Sequence, residues 1–105
     1  MMLAGKTIQW TFADGPMPGM LIEHTFDADG SVTWRFLDGP HKGASGREES
    51  YAAAQINVET LALSYRAKSG HTLTVILNLP DGKMFAFGSS QDGWQPLSGT
   101  FKFVG

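Results

Sequence analysis

The feature that most constrains this chain is an alternation of apolar and polar side chains with period two. It recurs over residues 7–13, 20–27, 31–37, 50–57, 61–67, 71–79, 83–89 and 97–104. Alternate side chains of a strand point to opposite faces, so each segment reads as a strand with one face turned to a core. Aromatic and β-branched residues concentrate inside the segments, while Gly, Pro, Asp and Ser fall between them, where turns need special backbone angles. One segment has a helical rival: Ser45 and Glu48 have capping-box spacing, and residues 51–55 are mostly good helix formers. A strand is expected there.

Three turns end in glycine and read as three-residue hairpin loops: Ala28-Asp29-Gly30, Lys68-Ser69-Gly70 and Pro80-Asp81-Gly82. Loops of that length fix the register. Around the first, Phe26 faces Val32, His24 faces Trp34 and Ile22 faces Phe36, with Thr25 opposite Thr33 and Glu23 opposite Arg35 on the reverse face. Around the second, Tyr65 faces Leu73, Leu63 faces Val75 and Leu61 faces Leu77. The third sets Leu77 against Phe85 and Val75 against Phe87. Eight antiparallel strands, with about thirteen residues of chain per strand and turn, predict an all-β, up-and-down barrel that closes its own edges and can hold one small ligand. A two-sheet sandwich is the rival. Residues 15–19, 38–46 and 90–96 are the expected irregular rims. With 105 residues, the chain is expected to form a single domain, 1–105.

Composition removes several functions. Eight Lys and Arg against ten Asp and Glu give a net charge of -2, which offers no footprint for nucleic acid or an anionic membrane. No cysteine is present, so disulfides, thiolate metal sites and a cysteine nucleophile are excluded. The N-terminal apolar run is too short for a signal peptide, and no stretch matches a membrane helix, so a cytoplasmic protein is expected. The run Asp27-Ala28-Asp29-Gly30 lacks the Gly and Glu positions of a calcium loop. His24, His41 and His71 lie on separate segments without metal spacing. No Gly-x-Ser-x-Gly elbow and no phosphate-cradling loop occur. Neither a metal nor a cofactor is expected.

The two faces of the first hairpin compete for the interior. With Ile22, His24, Phe26, Val32, Trp34 and Phe36 inside, Glu23 and Arg35 make a surface ion pair. With Glu23 and Arg35 inside, a guanidinium stands in an apolar barrel, placed to hold a carboxylate or another polar head group.

Residues 26–35, Phe-Asp-Ala-Asp-Gly-Ser-Val-Thr-Trp-Arg, with Glu49-Ser50-Tyr51 and Leu63-Ser64-Tyr65 before the Ser69-Gly70 turn, resemble the family of molybdenum cofactor biosynthesis protein F, MoaF. The resemblance spans about residues 5–103 and implies a lipocalin-like, calycin-type barrel with a pocket. The pattern is also distantly similar to the bacterial phenolic acid decarboxylases, cofactor-independent barrels that act on hydroxycinnamates. That resemblance lays the family's two tyrosines on Trp10 and Phe12, its arginine on Arg35 and its glutamate on Ala67; only the arginine is kept. It places Arg35 inside.

The expectation is therefore a barrel that binds a small, partly apolar molecule bearing a polar or carboxylate head group. Trp10, Phe12, Tyr65 and Phe87 are its expected walls, and Arg35, oriented by Glu23, its anchor. One alternative is a cofactor-independent lyase or isomerase using Arg35 with Glu23 or Tyr51. Another is a structural or interaction protein whose barrel is filled by side chains. Arg35 inside leaves Ile22, Phe26, Val32, Trp34 and Phe36 outside, an apolar patch that predicts a homodimer.

Overall fold

The computed structural model describes residues 3–104. Nine strands follow one another: β1 Thr7–Phe12, β2 Leu21–Phe26, β3 Val32–Phe36, β4 Ser45–Glu48, β5 Tyr51–Asn57, β6 Thr60–Arg66, β7 Thr72–Asn78, β8 Lys83–Ser90 and β9 Gly93–Val104. They form one sheet in the order β4-β3-β2-β1-β9-β8-β7-β6-β5, and every neighbouring pair is antiparallel.

The sheet ends in β4 and β5, yet only Glu49 and Ser50 separate these strands in the chain. It must curl to bring its two edges together. No ladder joins them among the described residues; the seam is bridged at Tyr51 N, which donates to Gly30 O at 3.0 Å, and at Lys68 N, which donates to Glu48 Oε1 at 3.0 Å. The architecture is thus a curled, nine-stranded half-barrel, not the closed eight-stranded barrel expected. The added strand, β4, lies partly in a stretch expected to be irregular, and β9 begins at Gly93, earlier than its pattern indicates.

Two hairpins have the expected register. Gly30 and Gly70 both adopt φ 93°, the left-handed conformation that closes such loops, and the pairs of β2 with β3 and of β6 with β7 fall as read from the sequence. The third hairpin differs by one residue. Asn78 pairs with Lys83, so its loop holds four residues, Leu79 to Gly82, and Gly82 N donates to Asn78 O at 3.1 Å. A one-residue slip turns every side chain over. Met84 and Ala86 therefore face inwards opposite Leu77 and Val75, while Phe85 and Phe87 stand on the outer face, 59% and 46% exposed.

The first hairpin also settles its two faces. Ile22, His24, Phe26 and Val32 are buried, with Trp34 and Phe36 turned the same way. Glu23 and Arg35 lie outside. The energetic reason is plain: each large apolar side chain removed from water contributes about 1.5–3 kcal/mol, whereas burying an ion pair costs desolvation that its mutual attraction rarely repays. The apolar surface expected to join two copies is consequently the interior, and the homodimer loses that basis.

Inward residues divide along the strands. Ile8, Phe26, Val32, Leu61, Leu77 and Met84 pack into a solid core at one end. Towards the other end the same inward rows stop short of one another.

Candidate functional site

Where the rows stop, the half-barrel encloses a cavity of about 630 Å³. Its walls come from one half of several strands: Trp10 and Phe12 on β1, Ile22 and His24 on β2, Trp34 and Phe36 on β3, Tyr65 on β6 and Leu73 on β7. Pro16 and Met17 border it from the β1–β2 connection, Asp92 from the β8–β9 turn and Trp94 from the start of β9. All three tryptophans of the chain line this space. On β8 the inward position between Leu73 and Gln95 is Gly88, where an added Cβ would meet only Leu97 Cδ1, at 4.0 Å. The missing side chain leaves part of the room.

A polar cluster is set into this wall. Trp10 and His24 occupy diagonal positions of the β1–β2 ladder, and their rings stack with centroids 3.9 Å apart and 25° between planes. His24 Nε2 lies 2.7 Å from the Tyr65 hydroxyl. Burial disfavours the imidazolium and takes the His24 pKa from 6.5 to about 3, so the ring is neutral at neutral pH. The Tyr65 phenol is pushed up by burial and by the nearby Glu48 carboxylate. Trp10 Nε1 and His24 Nδ1 are buried without a hydrogen-bond partner among the described residues.

Glu48 holds the wall in place. One carboxylate oxygen accepts from the Trp34 indole at 2.9 Å and the other from Lys68 N at 3.0 Å. It therefore ties the edge strand β4 to β3 and to the β6–β7 turn across the open seam.

The cavity gathers three of the six expected site residues: Trp10, Phe12 and Tyr65. Phe87 is on the outer face, its ring tilted against Trp94 with centroids 6.4 Å apart. Arg35 and Glu23 pair at 3.0 Å on the outside, and Glu23 also accepts from Gln9 Nε2 at 2.8 Å. The Arg35 guanidinium is 58% exposed, so the expected carboxylate anchor is absent from the cavity. Its correction removes the one residue kept from the decarboxylase pattern. Tyr51, named with Arg35 in the lyase alternative, packs edge-on against Phe26 instead and borders a small cavity of about 200 Å³ with Leu3 and Leu61.

Sequence reasoning missed His24 and Glu48. His24 alternates in phase with Ile22 and Phe26, and that phase was the available signal; Glu48 sits in a strand that the pattern did not reveal. Among the described residues no three His, Asp or Glu side chains gather as metal ligands, and no helix is long and apolar enough to cross a membrane.

A family model described as MoaF-like matches residues 4–102. No curated protein gives a significant match. Among solved structures, the chain is similar to a protein of Burkholderia vietnamiensis described as a "putative beta-lactamase", with 22% identity and a TM-score of 0.80 over 99% of this chain and 97% of that one. At that identity the likeness shows the fold.

Proposed function

This chain belongs to the MoaF-like family, and on that premise we propose that it binds a small, mostly apolar molecule in the aromatic half of its curled sheet. The observation that carries this reading is the Tyr65–His24 pair set in the wall of an aromatic cavity of about 630 Å³. Ligand pockets characteristically have such volumes, about 300–1,000 Å³, with apolar walls and a few placed polar groups. A protein filled by side chains accounts for the solid end of the molecule but leaves this end unexplained.

Binding is favoured over proton-transfer chemistry. A general acid or base works best with a pKa near the operating pH. His24 is held at about 3 and Tyr65 is pushed up, so both are locked in their neutral forms near pH 7. Neutral groups of this kind orient a ligand by hydrogen bonds. The polar contact moves from Arg35 to Tyr65, and the ligand's head group is a polar one within reach of a phenol hydroxyl.

Native mass spectrometry of the protein purified without denaturation tests the reading, with tryptophan fluorescence as second readout, because Trp10, Trp34 and Trp94 all border the site. A retained small molecule, or saturable quenching by uncharged aromatic amides, supports it. Absence of both overturns it.

A further inference from the structure

The cavity wall carries hydrogen-bonding groups but no compensating cation. Its polar members are Tyr65, His24, Thr72, Ser90 and Gln95, and its charged one is Asp92 at the mouth; no Lys or Arg lines it among the described residues. None of the buried titratable groups facing this space is a cation. From β2, His24 is neutral because burial disfavours its charged form. From β6, Tyr65 is neutral, with the Glu48 carboxylate of β4 behind it. The β8–β9 turn contributes Asp92, an acid. His71, before β7, is exposed at the rim, with Nδ1 3.2 Å from the Ser69 hydroxyl.

We propose that this site selects uncharged ligands that accept a hydrogen bond from Tyr65, and that it rejects the matching carboxylates. The inference rests on the proposed binding function and narrows it. Hydrogen-bond donation follows from His24. Its Nε2 meets the Tyr65 oxygen at 2.7 Å, while Nδ1 has no partner. With the proton on Nε2, the imidazole donates to Tyr65, Nδ1 is left as a bare lone pair, and the phenol O–H is free to donate elsewhere. The other tautomer buries an unpaired N–H, the rarer defect in folded proteins. A carbonyl group fits the freed hydroxyl. A carboxylate would also accept that bond, but it would lose its hydration in an apolar pocket that carries Asp92, has Glu48 close to Tyr65 and offers no Lys or Arg in its wall to offset the loss.

An isosteric pair of probes separates the possibilities: para-tert-butylbenzamide and para-tert-butylbenzoate have the same shape and differ in charge. Titration of the full chain at pH 7, followed by ligand-observed NMR, should show saturable binding of the amide. The benzoate should bind at least about tenfold more weakly. Tyr65→Phe should weaken the amide and leave the benzoate unimproved, with the unfolding transition recorded to confirm that the variant is folded. Equal or tighter binding of the benzoate overturns the charge selection while leaving the cavity as a binding site. Unchanged amide affinity in folded Tyr65→Phe overturns the role of the hydroxyl. Failure of both probes to bind counts against this inference, and, if native mass spectrometry also finds no retained molecule, against the binding function itself.

Discussion

The indole of Trp34 on β3 lies so close over Gly46 on β4 that a Cβ built at Gly46 would stand 2.5 Å from its Cζ2. The two are direct partners across the ladder, and the same indole donates to Glu48 two residues further along. A bare backbone at Gly46 thus lets an aromatic wall of the cavity fold over the sheet edge.

Gly46→Ala should therefore push the Trp34 ring off its seat and break its bond to Glu48. Overpacking of this kind costs about 1–3 kcal/mol. Urea unfolding should show a lower midpoint, accompanied by a shift in the tryptophan emission maximum of the folded state. A wild-type midpoint with unchanged emission would show that the close approach has no energetic weight.

Glu48→Gln keeps the size of the side chain but replaces one accepting oxygen by an NH₂ that faces donors. One of Trp34 Nε1 and Lys68 N then loses its acceptor. Losing a part-buried hydrogen bond of this kind costs about 0.5–1.5 kcal/mol, and amide exchange at Lys68 or the Trp34 indole should quicken. Protection equal to wild type at both would contradict the latch across the seam.

Protonation of His24 couples stability to pH. Its folded pKa of about 3 is below the unfolded 6.5, so between these values the unfolded chain holds more protons and stability falls as pH falls. From pH 6.5 to 5 the loss should be about 2 kcal/mol, and His24→Gln should flatten that limb. The window lies above the ordinary carboxylate range, which separates this effect from general acid unfolding. An identical slope in wild type and folded variant would show that His24 is not the group responsible.

Arg35→Ala tests the placement of the first hairpin. An exposed pair such as Arg35–Glu23 contributes about 0.2–1 kcal/mol, so the variant should unfold within that margin of wild type and bind cavity ligands equally well. Loss of binding would bring the guanidinium back into the site.

Much of this molecule was legible in its sequence, and the limits have physical causes. Glycine at a loop's left-handed position fixed the first two hairpins, because few other residues adopt that φ cheaply. The same glycine signal misled at Gly82: a three- and a four-residue loop can both end on it, and the difference of one residue reversed Phe85 and Phe87. Strand β4 escaped because four residues, Ser-Gly-Arg-Glu, are too few to show alternation and carry one glycine. Within the site, Tyr65 was readable from the apolar face of its hairpin, whereas Trp10 and Phe12 were expected only through the decarboxylase resemblance. His24 was not readable, since a histidine in an apolar row has no sequence mark that tells packing from binding; its partner Tyr65 lies 41 residues away. Arg35 lies outside because the apolar face opposite it gains more from burial than an ion pair does.

The most direct test of the central claim compares the wild type with Gly88→Leu. The new side chain would enter the space that Gly88 leaves open, at a position free of backbone strain. Titration with the uncharged dye Prodan should give saturable binding, with energy transfer from tryptophan, in the wild type. In Gly88→Leu that binding should be lost while the unfolding midpoint is retained. Equal binding by both proteins would place the dye on the exposed outer surface around Phe85 and Phe87 instead of in the cavity, and would contradict the account.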